Sequence, residues 1–558
     1  MTATTSSAPA AAAVHTTPVL PLRTQLAFSA QAFFDAAMDL VVLVFLGKFY
    51  VDVALLPAGL LALAIAAARA FDAVIDPVMG YVTDHTRSRF GRRKPWICAG
   101  MLGSAVVFYR LLSPPAGLAQ GPLVSWFLAC FAGHFFCTTL VRVPKGALAA
   151  ELSFDPQERV RFFGLVAVLT ALGLLAGTLG PTLLQRGVGI ADPRRQMSVL
   201  AALCSLGSVL SHLWLLWGVR ERRDFQERGR TPLVPAVRHV LRNRPFMVML
   251  LSTVVTAIPA AIPATLMPFF VQYVLRASTE LTALLILTYL LSGFLALPFW
   301  MRMAARRGKL RVWLINGFIG VTGGALMFLP GPGDTALMFA LEIYVGLQSQ
   351  VFLVLASAMQ ADTIDYDELR SGKRREGQFG ALSAIVPKFT LIPGAAIPLA
   401  ILGGAGYVPN AAEQSPGVVL ALRVLFALVP AAFNLLGLLI MRRYPLSEAR
   451  HAEIRAAAAQ HARGEAAIDP ITGQHLPPPN QRPLDEATGF LLDHFSLREL
   501  RAYTRGKGPL QSVLASVTGS AVLTVVAMLL AVHSVTRLDA DPGPMPSLAI
   551  VTAGAGFT

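Results

Sequence analysis

Charge is scarce in this sequence. Asp, Glu, Lys and Arg make up 14% of 558 residues, against about 25% in an ordinary soluble domain. That is too little to cover a soluble surface of this size. Cysteine is scarce too. Cys98, Cys130, Cys137 and Cys204 all fall in apolar runs, without metal-ligand spacing or a pairing pattern. They read as small core residues, not as a disulfide framework or a zinc module. No nucleophile–base motif, metal cluster or phosphate loop is found, so neither an enzyme nor a resident cofactor is expected. The short alternating segments of a membrane barrel are absent as well. The opening "MTATTSSAPAAAAVHTTPVL" has no basic region ahead of an apolar one. It reads as a disordered cytoplasmic tail and not as a cleaved signal.

What the chain has in abundance is apolar runs of about 20 residues, each long enough to cross ~30 Å of hydrocarbon. The fold class expected is an all-α polytopic membrane protein. Twelve spans are placed near 26–49, 57–82, 96–114, 122–150, 161–184, 196–219, 245–272, 280–302, 309–330, 335–362, 376–404 and 416–441. The basic loops "RSRFGRRK", "RERRDFQERGR", "RMAARRGKLR", "RSGKRRE" and "MRRYPLSEAR" follow the even-numbered spans. Positive charge stays on the cytoplasmic side, so both ends of this unit are expected there, in a bacterial-type inner (plasma) membrane. The same loops account for the net charge of +15 without a nucleic-acid partner. The boundaries expected are 1–21 for the N-terminal tail, 22–219 for the first six-helix half, 220–244 for a central cytoplasmic loop and 245–445 for the second half. A cytoplasmic linker (446–510), a thirteenth span (511–535) and an extracytoplasmic end (536–558) follow. Within the linker, "SEARHAEIRAAAAQHARGEAA" reads as an exposed helix. Two six-helix halves with a faint internal echo are the pattern of alternating-access carriers, whose site lies between the halves at mid-membrane.

Ionisable residues inside spans cost about 2.5–3.5 kcal/mol each to insert, and they face a bundle interior or a wet cavity. Span one carries Asp35 and Asp39, span two Asp72 and Asp76, span four Arg142 and Lys145, and span eleven Lys388. Spacings of three or four put each pair on one helix face. Two carboxylates one turn apart in low dielectric resist double ionisation, which is the physics of a proton or sodium site. The competing reading is that Asp72 and Asp76 are neutralised structurally by Arg142 and Lys388. His134 and Thr138 share a face with Arg142; His134 either lines the cavity or hydrogen-bonds within the bundle. At the cytoplasmic ends, Asp84 followed by Arg92 and Arg93, and Asp365 followed by Arg374, are expected either to brace a gate or to sit in solvated loops.

The spacing Gly80-x-x-x-Asp84 before a basic block resembles the loop signature of the major facilitator superfamily. The runs "FDAVIDPVMGYVTDHTRSRFGRRKPW", "VPKGALAAELSFDPQERVRFFG" and "ADTIDYDELRSGKRREGQFGALSAIVPKF", with a later "GYVPN", resemble one branch of it, the glycoside–pentoside–hexuronide:cation symporters. The resemblance covers roughly residues 22–445 and implies the twelve-helix major facilitator fold with 6+6 pseudo-symmetric halves. It also implies roles. Asp72 and Asp76 match the cation-site carboxylates, Thr139 a hydroxyl assisting the cation, and Lys388 the lysine linking cation and substrate sites. Asp35 and Asp39 fall near an acid that contacts sugar, and Arg142 and Lys145 join them as substrate or coupling residues.

Departures from the family pattern bear on the ligands. Ile75 stands where the melibiose permease has Asn and supplies no oxygen ligand, which favours H+ over Na+. Arg142 replaces the sugar-binding acid of helix four, and Val166 and Ala167 stand where helix five ordinarily has Arg. Arginine suits bidentate recognition of carboxylate or phosphate, so an anionic ligand such as a uronide is expected; the alternative is that Arg142 pairs only internally. The function expected is cation-coupled import of a small polar solute, a sugar, glycoside or uronide, by a chain acting as a monomer among membrane lipid. One alternative keeps the carrier and changes the ligand to a lysolipid or other anionic amphiphile. Another is a transporter-like receptor or assembly subunit without flux.

Overall fold

Runs of Ala, Leu, Val and Phe wind into helices here, and several continue through an internal proline, Pro144, Pro181, Pro268 and Pro298 among them. The computed structural model describes residues 21–86, 88, 91, 93–152, 156–219, 243–278, 280–371 and 376–477. The first rod, α1, is built from Leu22–Ser29, Gln31–Leu40, a π turn Val41–Phe45, Leu46–Lys48 and a second π turn Phe49–Val53. There follow α2 (Ala58–His85), α3 (Lys94–Leu112), α4 (Gln120–Leu152), α5 (Pro156–Arg186) and α6 (Pro193–Gly218). The second half comprises α7 (Arg244–Ala257 and Ala261–Tyr273), α8 (Glu280–Arg307) and α9 (Lys309–Leu326). It continues with α10 (Thr335–Gly346 and Val351–Ser371) and α11 (Glu376–Gly404). It ends with α12 (Pro416–Arg423, a π turn Val424–Leu428, and Val429–Met441). Starts are marked chemically. Asp192 accepts from the amides of Arg194 and Arg195 ahead of α6, with Pro193 in the first turn. Asn243 does the same for Phe246 in α7.

Seven segments among the described residues are long and apolar enough to cross a membrane. The proposed thirteenth span, the central loop 220–242 and the first twenty residues lie outside the described residues. Helix α10 runs to Ser371, so Asp362, Asp365, Asp367 and Glu368 are helical and not part of a loop.

Close packing sets which faces look inward. Gly173 and Gly177 of α5 lie so near α1 that a Cβ on them would sit 2.0 Å from Phe33 O and 2.7 Å from Ala37 O. This small-x-x-x-small face lets the two backbones touch. Phe33 and Ala37 therefore point at α5, and Asp35 and Asp39 point away from it. On α4, the backbone of Gly100 in α3 rests on Cys137, Leu140 and Val141. Thr138, Arg142 and Lys145 are left for the other side.

The halves meet along α2–α11, α1–α7 and α5–α8. Among the described residues, the polar contacts between them gather at one end of the bundle, here called the upper end, where α1 turns into α2. Lys48 pairs with Asp52 at 2.5 Å and reaches Gln272 of α7. Tyr407 donates to Asp52 Oδ1 at 2.8 Å, and Asn410 donates to Asp52 O at 2.6 Å. Arg186 of α5 pairs with Glu280 of α8. Beside them Gly403 of α11 abuts the backbone of Gly59 in α2.

At the opposite, lower end the chain adds α13 (Glu448–Ala462) and a hairpin of β1 (Ala467–Ile468) with β2 (His475–Leu476), Ala467 opposite Leu476. Helix α13 was expected to be exposed. It is docked instead: Ile454 and Ala457 are buried in one cluster with Trp300, Tyr366, Leu369 and Tyr444. Ile454 and Ala457, at i and i+3 on an alanine-rich helix, seat it, with Ala458 packed beside them. Asp469, fully buried, accepts from Tyr366 Oη at 2.9 Å and from the amide of Ile471 at 2.8 Å, so one carboxylate both forms the hairpin turn and ties it to α10.

The upper seam yields a prediction. Tyr407→Phe removes a hydrogen bond to a charged, buried partner, worth about 1.5 kcal/mol, or roughly tenfold in the open-to-closed ratio of that end. Maleimide labelling of a Leu399→Cys reporter, placed against Gly47, is expected to quicken by about that factor; an unchanged rate would show that the seam does not hold the halves.

Candidate functional site

The inward faces of α1 and α4 carry opposite charges at matching heights. Arg142 donates through Nη2 to both carboxylate oxygens of Asp39, at 2.6 Å and 2.5 Å. Lys145 Nζ lies 2.7 Å from Asp35 Oδ2. The spacing of four on α1 and three on α4 lets two parallel ion pairs form side by side. Pro144 sits between the two cations inside α4 and cannot donate to the carbonyl a turn earlier.

Burial differs between the pairs. Asp35 and Lys145 are 22% and 17% exposed, whereas Asp39 and Arg142 are each 48% exposed. Their neighbours Leu40, Leu140 and Val141 are buried. The outer pair thus borders open space between α1 and α4, and the inner pair is set into the wall.

Helix α2 brings a third face. Asp72 is buried, and Thr139 of α4 donates to its Oδ1 at 3.5 Å, a long contact. Arg69, one turn earlier, lies with its guanidinium 4.2 Å from the centre of the Phe135 ring, a cation–π distance, and among the described residues its Nε has no hydrogen-bond partner. It lies within electrostatic range of Asp72, Asp39 and Arg142. Opposite, His212 of α6 is buried within electrostatic range of Asp35 and Lys145. Its Nδ1 is 2.8 Å from Ser208 O. A carbonyl only accepts, so Nδ1 bears a proton.

Of the residues singled out in the sequence, Asp35, Asp39, Asp72, Thr139, Arg142 and Lys145 are therefore brought together. Asp76, Asp84 and Lys388 belong to α2 and α11, but their side chains lie outside the described part, as do Arg92 and Arg374 altogether. Arg93 is buried just ahead of α3. Asp365 accepts from His451 Nε2 of α13 at 3.0 Å. His134 is packed, its ring 5.5 Å from Phe108, and Thr138 donates to Phe135 O in its own helix. Sequence reasoning passed over Arg69, His212 and Glu342 of α10. Each is an ionisable residue in a largely apolar run, and that rarity was the signal available for finding them.

A family profile described as MFS/sugar transport protein matches residues 28–448. The chain belongs to this family. The glycoside–pentoside–hexuronide resemblance noted above is thereby confirmed, and the protein is a multi-pass membrane transporter and not an enzyme. A glucuronide carrier protein homolog of Escherichia coli is 28% identical over 423 residues, covering 74% of this chain and 89% of that one. A glycoside/cation symporter homologue of the same organism, described as putative, is 28% identical over 442 residues, covering 76% and 93%. A sodium-dependent lysophosphatidylcholine symporter of Danio rerio is 25% identical over 444 residues, covering 73% and 82%. Among solved structures, a nucleoside transporter superposes with a TM-score of 0.56 at 12% identity, over 75% of this chain and 99% of that one. A bacterial homologue of the lysosomal transporter Spinster, in an inward-facing state, gives 0.54 at 15%, over 76% and 96%. These two share the fold.

The inner pair should behave as a unit. Asp35→Asn leaves the Lys145 ammonium facing a neutral group and is expected to cost about 1–3 kcal/mol, allowing for partial exposure. Asp35→Leu with Lys145→Met should recover most of that loss. Thermal unfolding of the detergent-solubilised protein checks both; a strictly additive double variant would mean that the two side chains are not coupled.

Proposed function

We propose that this protein is a cation-coupled symporter of a small, anionic, sugar-type solute, with Arg142 as the group that receives the anion. The observation carrying this reading is the half-exposed Arg142–Asp39 pair. A guanidinium whose Nη2 already holds both oxygens of one carboxylate, at the border of open space, can hold another carboxylate in its place. A uronide carboxylate arriving there takes the place of Asp39. Asp39 is then left without its cation and can turn to Arg69, which lies within electrostatic range. Solute binding on α1 and α4 is in this way linked to the charge state of the neighbouring acids on α2.

Asp72 and Asp76 are the coupling-ion carboxylates in this proposal, with Thr139 beside Asp72 and Lys388 linking from α11. The coupling ion is a proton. Ile75 contributes no oxygen, and a proton needs only one carboxylate of suitable affinity, whereas sodium needs several oxygen ligands. The names of the relatives, a glucuronide carrier homologue and a glycoside/cation symporter, agree with a sugar-type anion moved with a cation. The upper seam is the external gate in this orientation, and the membrane is a bacterial inner membrane. Rocking of the halves about the site exposes it to either side.

Proteoliposomes with an imposed pH or sodium gradient test the reading. Glucuronides should accumulate in response to the pH gradient, and neutral galactosides and lysolipids should not compete. Arg142→Gln should weaken binding of the anionic solute by about 2–4 kcal/mol, some 30- to 1000-fold. Asp72→Asn combined with Asp76→Asn should abolish uphill accumulation while leaving equilibrium exchange of labelled solute. Undiminished uphill uptake by that double variant would sink the coupling role. Competition by lysolipids alone would reassign the solute.

A further inference from the structure

A carboxylate in the second half takes no part in the site above. Glu342 lies on the upper segment of α10, eight residues inside Asp334, or about 12 Å along the helix. It is 3% exposed. Among the described residues, no hydrogen bond or ion pair reaches it. It shares its buried face with Met338 and with Gly346, one turn on. Gly346 is pressed against α8 so closely that a Cβ there would lie 2.6 Å from Tyr289 O.

Among the described residues, the groups placed near it are neutral. From α8 these are Tyr289, within electrostatic range, and Ser292, whose Oγ abuts Gly346 one turn on. From α9, Thr322 bonds Tyr344 Oη, two residues beyond Glu342. The charges of α8 sit at its ends, Glu280 above and Arg302, Arg306 and Arg307 below. Those of α9, Lys309 and Arg311, sit in its first turn. From Tyr289 to Arg302 is about 20 Å along α8. An ionised carboxylate in such a place has lost its water without gaining a cation.

Helix α10 is also interrupted immediately below. Gly346 ends one segment, Val351 begins the next, and Leu347 to Gln350 form a turn between them. Ser349 of that turn is wedged against Gly293 of α8. The lower segment carries Asp362 and Asp365 and holds α13 and the hairpin.

We propose that Glu342 is a second proton-binding site, in the half of the molecule opposite Asp72, and that its proton holds the α8–α10 crossing closed at the break. With the proton bound, the carboxylic acid is neutral and the crossing packs as seen. When the proton leaves, the carboxylate needs water. Water reaches it only if α10 parts from α8 at Leu347–Gln350, which frees the lower segment to move. The proton is the ligand, and no other group is required. The site stands on its own geometry and does not depend on which solute Arg142 receives.

Infrared difference spectra of the purified, full-length, solute-free protein between acidic and alkaline buffer test it directly. The carbonyl stretch of a protonated carboxylic acid is expected in the parent, lost in Glu342→Gln, and retained in Asp72→Asn. In parallel, labelling of a Gln350→Cys reporter should rise with pH in the parent and stay low at every pH in Glu342→Gln, whose amide mimics the protonated form. Should Glu342→Gln fail to insert, Glu342→Asp keeps a titrating group, and the band should move instead of vanishing. A spectrum in which neither substitution alters any carboxylic-acid band, or labelling that stays pH-independent in the parent, overturns the proposal. Loss of the band in Asp72→Asn alone would place the titration at the first site and overturn it equally.

Discussion

Two carboxylates of α1 and two cations of α4 meet across the inward faces of these helices, each beside a partner of opposite sign. Asp39 with Arg142 and Asp35 with Lys145 cancel each other. That cancellation ties the two helices that border the open space. The packing around them depends on it. The glycines of α5 press the far side of α1, and Gly100 presses the far side of α4, so neither helix is free to rotate its charges into lipid. Arg69 and Asp72 extend the same arrangement onto α2. A change of charge at any one of these groups is felt by the rest, since low dielectric screens little. This is the property a coupled carrier requires.

Where the helices depart from regular winding is equally informative. Several rods are broken or underwound: α1 and α12 by π turns, α7 between Ala257 and Ala261, and α10 at Leu347–Gln350. Two of these, α1 and α7, meet each other across the halves. Irregular turns of this kind cost hydrogen bonds and are kept where a side chain must be re-aimed or a segment must pivot. At the lower end, the docking of α13 and the hairpin onto α10 gives that helix a load that the membrane core does not see.

Much of this was legible in the sequence. Apolar runs of membrane length gave the rods, and pairs of charges at helical spacing gave Asp35, Asp39, Arg142 and Lys145 as one group. The resemblance in "FDAVIDPVMG" pointed to Asp72. The pairing pattern was not legible, because spacing fixes the face of one helix and not the height of its neighbour. Arg69 was hidden by its neighbours Ala67, Ala68 and Ala70, and His212 by lying among Leu and Ser. Glu342 was hidden for the same reason, and only the burial of its face shows how few partners it has. The docked tail was missed because Ile454 and Ala457 are too few to register as amphipathic; it took Tyr366 and the buried Asp469, on opposite partners, to make the contact visible.

The two π turns of α1 have a geometric consequence. Each accommodates one residue more than a regular helix holds over the same stretch, and one residue is worth about 100° of azimuth. Asp39 lies before the first turn, and Lys48 and Asp52 lie beyond it. The insertion therefore acts as a phase adjuster, allowing one rod to aim Asp39 at α4 in its lower half and Lys48 at α7 in its upper half. A chain shortened by a single residue within Val41–Phe45 would keep every side chain named here and point the upper ones at the wrong neighbour.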